Sequence, residues 1–405
     1  MGLDDAYIGR RVREIRTWRR MNLAATAELA GISPAYLSMI ERGLRAVTRR
    51  PLLDGLAQAL RVSPEDLTGQ PYRPADPLSA EAQAGIAAVE AALDAYDLGT
   101  DPSIEARPWP EISADIQRLN DVLRADADYA SLGTVIPGLL AELHAAYVHD
   151  SVRRREALIG LIYTYRSAAG FTKCLGVRGL PLVAARLAQQ CAEELDSPEW
   201  IGFAAFIRGY SGGALDRPHQ YTHAVRTIDR VQGSLDDPNV VQAAGALHLN
   251  AALVCASQRD PERAHDHVSE AENLATRLPD VRQNFGWLYF APENVGVWQV
   301  SLGTELGEGG RVAEYARTVQ PRMIEGKARR AAFLADVGRA LASERKTRAE
   351  GIETLAEAER TAPQLIRNNP LVRETVTDLL AAARREAGGR ELRGLAFRMG
   401  VAPTG

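Results

Sequence analysis

Residues 22–43 read NLAATAELAGISPAYLSMIERG, and the stretch carries two helix starts and two helix stops in close succession. The Asn22 side chain is placed to accept an orphan N–H of a first helix, and Gly31 supplies a permissive backbone where that helix ends. Ser33 caps a second helix whose first position is Pro34, where a missing N–H costs nothing. Leu37 and Ile40 turn one face of that helix inward and Gly43 closes it, leaving Tyr36, Ser38, Met39 and Arg42 to point elsewhere. The spacing predicts two short helices joined by a tight turn.

Upstream, residues 8–20 put Ile8, Val12 and Ile15 on one helical stripe, with Arg10, Arg13, Arg16 and Arg20 around it. Downstream, Pro51 opens a helix carrying Leu52, Leu53, Leu56 and Leu60, and Ser63, Pro64 and Leu67 mark a final short one. Five helices are predicted before TGQPYRPADP at 68–77, where three prolines and the loss of periodicity predict a linker.

The segments GRRVREIR, LAGIS, YLSMIERG and ALRVSPEDL, in this order and spacing, resemble the helix-turn-helix domain of phage-repressor-like (xenobiotic response element, XRE) regulators over residues 8–67. The resemblance implies a double-stranded DNA partner, with the second helix in the major groove. It places Pro34, Ala35, Tyr36, Ser38 and Met39 against base edges, with the capping Ser33 also in the DNA-binding set, Arg42, Arg45, Arg49 and Arg50 against phosphates, and Arg16 with Glu41 as a structural ion pair. Pro34, Ala35 and Met39 cannot form the bidentate pairs that identify guanine or adenine, so direct readout would be weak. Two-fold dimers are usual for such heads. The expectation is therefore a homodimer built by the rest of the chain, on a palindromic operator with half-sites ~34–36 Å apart.

Charge follows the same division. Residues 1–73 hold twelve arginines against eight acidic residues, a net of +4, which leaves −8 for the remainder of a chain whose total is −4. A basic head on an acidic body fits a phosphate partner for the head alone. With 46% hydrophobic and 25% charged residues the composition is that of a globular protein of two or three domains. No uninterrupted apolar run of ~18 residues occurs, and the N-terminus is polar, so a cytoplasmic, nucleoid-associated protein without membrane contact is expected. Cys174, Cys191 and Cys255 have no metal-type spacing and read as reduced, mostly buried thiols.

Beyond the linker, residues 81–96, 111–124, 137–148 and 153–169 all have helical patterns, with Ala, Leu, Arg and Glu dominant and β-branched alternation nearly absent. Turn signals at 196–198, 236–238, 278–280 and 368–370 recur at intervals of about one or two units of ~40–45 residues, each unit holding two helices. The predicted fold is all-α. A DNA-binding domain at 1–69 is followed by a linker at 70–80 and, at 81–405, an α-solenoid of tetratricopeptide-like helical hairpins serving as sensor and dimerisation domain.

Superposing the units on their turns brings Arg208, Asn250, Asn294 and Arg339 to one position, a ladder that would line the concave face and hold peptide backbone or carboxylates. GWLYFAPENVGVW at 286–298 concentrates aromatics in a chain that is 6% aromatic, and Pro292 predicts a helix kinked or broken there, freeing the Leu288 carbonyl. Tyr289, Asn294 and Trp298 are the expected pocket wall. APENVGVW, RNNPLVRE and GGRELRGLAF also resemble the C-terminal body of actinobacterial regulators that join such a head to a tetratricopeptide-like sensor, and more distantly the architecture is similar to peptide-pheromone receptors.

No metal or other cofactor is expected. His219 and His223 lack a third ligand at motif spacing, and no nucleophile elbow, phosphate loop or dinucleotide fingerprint occurs, so an enzyme is not expected. The leading expectation is a transcriptional regulator whose body binds a small molecule or peptide. The alternative is an interaction scaffold whose body holds a partner protein while the head localises it to DNA.

Overall fold

The computed structural model describes residues 8–72, 77–212, 217–279, 284–321, 324–386 and 389–401. Among these residues all the regular secondary structure is helical, without strands. The head comprises α1 (Ile8–Trp18), α2 (Leu23–Leu29), α3 (Pro34–Glu41), α4 (Arg50–Leu60) and α5 (Pro64–Thr68). The body begins with α6 (Pro77–Ala95), α7 (Trp109–Arg118), which runs on through a π-helical stretch at Leu119–Arg124, and α8 (Tyr129–His149). Six hairpins follow. They are α9 (Arg154–Cys174) with α10 (Leu180–Leu195), α11 (Pro198–Ser211) with α12 (Arg217–Val231), and α13 (Pro238–Ser257) with α14 (Pro261–Thr276). Next come α15 (Pro292–Leu306) with α16 (Gly310–Thr318), α17 (Lys327–Ser343) with α18 (Arg348–Thr361), and, after the one-turn α19 (Pro363–Arg367), α20 (Pro370–Glu386) with α21 (Arg390–Arg398).

The two helices of each hairpin pack on each other, and the first helices α9, α11, α13, α15, α17 and α20 are neighbours in that order. This is a stacked array, in which each hairpin buries its apolar face against the next. Proline at the first turn starts α11, α13, α14 and α15, where its missing N–H is harmless. The first helices begin at 154, 198, 238, 292, 327 and 370, so the spacing runs from 35 to 54 residues rather than a steady 40–45. The long interval contains an irregular segment before Pro292. That proline therefore begins α15 instead of kinking a helix, and the expected break inside a continuous helix is not what forms. The helix α6 starts at Pro77, so residues 77–80 are not linker. The turn at 278–280 reaches into residues outside those described.

The helices α8 and α13 are long and apolar enough, by length and composition, to cross a membrane, and 50% and 89% of their apolar windows are packed inside the protein. In α13 that burial is what a central array helix requires. Its Gly245 leaves room for the Phe290 ring, which would come within 1.9 Å of an added Cβ, and this contact seats the segment before α15.

The head has its own core of Ile8, Val12, Leu37, Ile40, Leu52, Leu56, Leu60 and Leu67, and Leu371 of α20 completes it from the body. Head and body are thus packed as one piece.

Candidate nucleic-acid interface and its clasp

Within the head, the Asn22 carboxamide accepts the Ala25 N–H at 2.7 Å and Ser33 Oγ accepts the Tyr36 N–H at 3.2 Å. Gly31 and Gly43 take left-handed φ values of 65° and 71° at the two stops. Ser63 and Asp66 form a reciprocal capping box at the start of α5. Arg16 grips Glu41 through two parallel bonds, Nε to Oε1 at 2.6 Å and Nη2 to Oε2 at 2.8 Å, while its Nη1 donates to the Met21 carbonyl at 2.9 Å. The fork ties the end of α1 to the end of α3 and holds Glu41 satisfied although nearly buried. The bond to Glu41 is the largest influence raising the Arg16 pKa. This pair sets the angle at which α3 is presented.

Ser33, Pro34 and Ala35 are exposed, Ser38 and Met39 are half-buried, and Arg42 and Arg45 reach solvent. Arg42 Nε also donates back to the Ser38 carbonyl at 3.2 Å. Beside Arg42 and Arg45 a cleft of about 970 Å³ runs between head and α20, lined also by Arg10, Arg13, Trp18 and Glu374. Tyr36 instead packs on the head's core and faces a second cleft of about 510 Å³, opposite Ala256, Arg259 and Pro261 of the body.

Arg49 and Arg50 are not placed with Arg42 and Arg45. The Arg49 guanidinium donates to the Leu306 carbonyl at 3.5 Å, over Gly307, where a side chain would collide with it. The Arg50 backbone N–H donates to Glu305, and its side chain turns into the body, where Nε is buried and has no partner. The cause lies in α4. Its first turn abuts the C-terminal end of α15, so Arg50 is half-buried against the body, while Arg49, still exposed, lies along that contact.

The body holds the head at several further points. Arg217 of α12 pairs with Asp54 of α4, both side chains buried, through Nε and Nη2 at 3.1 and 3.0 Å. Arg339 pairs with Glu305 and Asp336 and donates to the head's Thr48 carbonyl at 2.6 Å. The Val47 N–H donates to Glu374 at 3.2 Å, and burial pushes that carboxyl up to about 7. Arg178 pairs with Asp66 at 2.9 Å. At the turn itself Arg259 donates to the Gly31 and Ala30 carbonyls, the second at 3.2 Å, so the body touches the backbone that aims α3.

The proposed ladder does not form. Arg208, Asn250, Asn294 and Arg339 are the eleventh, thirteenth, third and thirteenth residues of their helices, because the unequal intervals spoil the superposition. Arg208 donates to Gln189 at 2.8 Å in a polar cleft of about 340 Å³ that also takes His219 and His223. Asn250 donates to the Phe206 carbonyl at 3.0 Å and so joins α13 to α11. Arg339 belongs to the clasp. Trp298 packs half-buried on the core. Only Asn294, which accepts from Arg329, and Tyr289, whose ring lies 4.3 Å from the Arg329 guanidinium, share a neighbourhood.

That neighbourhood contains residues the periodicity could not reveal. Arg124, Arg166 and Arg329 lie there with Tyr163, Tyr210 and Tyr289, and Lys173 stands on the far side of Tyr210, so the group draws on α9, α11, α17, the π-helical turn and the segment before α15. The usable signal was Arg166 and Lys173 inside the otherwise apolar run of α9, where a solvated charge has no reason to sit.

Residues 8–68 match the family model of a helix-turn-helix domain. No curated protein and no solved structure matches the chain. The head is thus a helix-turn-helix domain, the fold of a DNA-binding regulator, carried on an all-α body.

Proposed function

We propose that the chain is a sequence-specific DNA-binding transcriptional regulator of the XRE kind, whose repeat body binds a small molecule or peptide and thereby modulates operator binding. It works in the cytoplasm on the nucleoid, as a homodimer on a palindromic operator, and not as an enzyme. The observation that supports regulation is the clasp. The same body that could hold an effector bonds the head at the α2–α3 turn through Arg259 and buries the Asp54–Arg217 pair across the joint.

Such a joint gives an effector a direct lever. Any ligand that prefers one position of the head shifts DNA affinity by its differential binding, and ~1–3 kcal/mol of coupling changes occupancy severalfold or more. Genome-wide mapping of sites bound by the full chain tests the first half, and gel-shift titration of a recovered site with and without cell-extract small-molecule fractions tests the second. Absence of enriched sites would sink the regulator reading. A body that captures a stable protein partner, with DNA affinity indifferent to every small-molecule fraction, would favour the scaffold.

A further inference from the structure

Three guanidinium groups of the body come together, and an ammonium lies next along the same surface. Arg124, Arg166, Lys173 and Arg329 are each half-buried, so all four keep a face that a solute can reach. Arg124 stands within electrostatic range of both Arg166 and Arg329, and Tyr289 adjoins all three guanidinium groups. Tyr210 continues the same surface toward Lys173, whose ammonium lies 3.7 Å from its ring centre.

No carboxylate among the described residues makes an ion pair with any of the four. Their partners are neutral. Arg166 donates to the Gly286 and Trp287 carbonyls, Lys173 to the Tyr210 carbonyl, and Arg329 to Asn294. Arg124 Nη2 is buried without a hydrogen-bond partner. Burial lowers the pKa of all four, Lys173 to about 7, and repulsion by Arg124 adds to the effect for Arg166 and Arg329, against a smaller attraction from Asp121 on Arg124, Glu65 on Lys173 and Glu325 on Arg329. Gathering like charges this way destabilises a fold, and such arrangements are a mark of binding sites.

The wall opposite is built with strain. Gly286, Trp287 and Tyr289 adopt left-handed φ values of 57°, 51° and 53°, and two of these residues carry bulky side chains. Trp287 is fixed by its indole N–H to Asp121 and by an edge contact with Tyr163 at 4.8 Å between ring centres. The strained segment thereby presents the Tyr289 ring and two carbonyls to the cations.

We infer that this basic, tyrosine-flanked cluster is a binding site for a small organic anion carrying at least two negative charges, held by Arg124, Arg166 and Arg329 with Lys173 beyond Tyr210, and flanked by Tyr163, Tyr210 and Tyr289. Guanidinium forks suit phosphate or carboxylate oxygens, and the tyrosine rings suit a planar or apolar remainder. The site also reaches the head. Arg50 acts electrostatically on both Lys173 and Tyr210, so an anion seated at Lys173 would also attract the first residue of α4. This consequence rests on the effector reading above; the site itself does not.

The test uses the full chain without DNA, titrated with pyrophosphate and, separately, citrate at constant ionic strength set with chloride, and followed by tryptophan fluorescence and thermal melting. Saturable binding of either probe, weakened about tenfold or more in Arg124→Met and in Arg166→Met, is the expected result. Binding of pyrophosphate alone assigns phosphate, and of citrate alone carboxylate. Absence of saturation with both probes, or affinities unchanged in both variants, overturns the site. Without probe, Arg124→Met should melt no lower than the parent, because it removes a like charge; a fall of several degrees would make Arg124 a framework residue and overturn its assignment. Saturable binding with unchanged DNA affinity would keep the site and remove its regulatory role.

Discussion

Arg217 reaches from the first turn of α12 to Asp54 in the middle of α4 and holds one carboxylate oxygen with two nitrogens, at 3.1 and 3.0 Å, with both side chains buried. Gln220 accepts a further bond from the same guanidinium at 3.0 Å. The pair spans the joint between the DNA-binding head and the repeat body, so it reports whether the two stay together. Removing one partner of a buried pair leaves the other charge stranded, at about 3–5 kcal/mol. Arg217→Ala is expected to lower the stability of the docked head by that amount, and the double replacement Arg217→Met with Asp54→Leu to recover most of it. Thermal melting of the two variants beside the parent checks this. A loss under ~1 kcal/mol in the single variant would mean the pair is solvated and the head undocked in solution.

The Glu374 carboxyl supplies a pH dependence at the same joint. Burial is the main cause that raises it to about 7, against accepted bonds from the Val47 and Ile8 N–H groups that lower it, with Asp378 adding to the rise. Arg10, Arg13, Glu14, Glu41, Arg42 and Arg45 share the cleft in front of it. A carboxyl whose docked pKa lies above its free value binds more protons when docked. Docking is thus favoured at acid pH, and that contribution is lost as pH rises from the ordinary carboxylate range through about 7. Limited proteolysis between head and body should quicken across this window, and Glu374→Gln should flatten the profile. An equally steep profile in the variant would assign it to another group.

Gly245 is the position where a single methyl should do most harm. The Phe290 ring occupies the space of its Cβ, and Phe290 adjoins the strained segment that carries Trp287 and Tyr289. Overpacking of this kind costs about 1–3 kcal/mol. Gly245→Ala is expected to lower the melting temperature, and to weaken anion binding through displacement of Tyr289. Unchanged melting would show that the ring moves aside without consequence.

The head was readable because its signals are local. Asn22, Gly31, Ser33, Pro34 and Gly43 each act within one turn of chain, and the structure places the caps at those residues. The all-α, hairpin-built body was readable for the same reason, from prolines and helical periods. The ladder failed because it assumed a constant interval across units, and the irregular segment before Pro292 moves Asn294 to the start of α15 while Asn250 and Arg339 sit deep in their helices. Arg50 was misplaced, and the contact of Arg49 with the body missed, for a related reason. Their environment is set by α15 and α17, hundreds of residues away, and nothing in the head's own pattern records that contact. The basic cluster was largely illegible in the same way, since Arg124, the α9 pair Arg166 and Lys173, and Arg329 come from three separate parts of the chain.

That rearrangement of the arginines makes the salt dependence of DNA binding informative. With Arg42, Arg45, Arg49 and Arg50 all on phosphates, a dimer would neutralise ~8, and the slope of log affinity against log salt would be near −7. If Arg49 keeps its Leu306 carbonyl when DNA binds and Arg50 stays turned into the body, a docked head gives phosphates only Arg42 and Arg45 of these four, so a dimer neutralises ~4 and the slope should be near −4. A slope near −4 that moves toward −7 in Arg217→Ala would show that release of the head hands Arg49 and Arg50 to the DNA. Arg42→Ala and Arg45→Ala should each weaken all sequences alike and reduce the slope by about 1 per head in either state. Arg49→Ala should leave the docked slope unchanged while reducing the released one, and an equal effect in both states would place Arg49 on phosphate throughout.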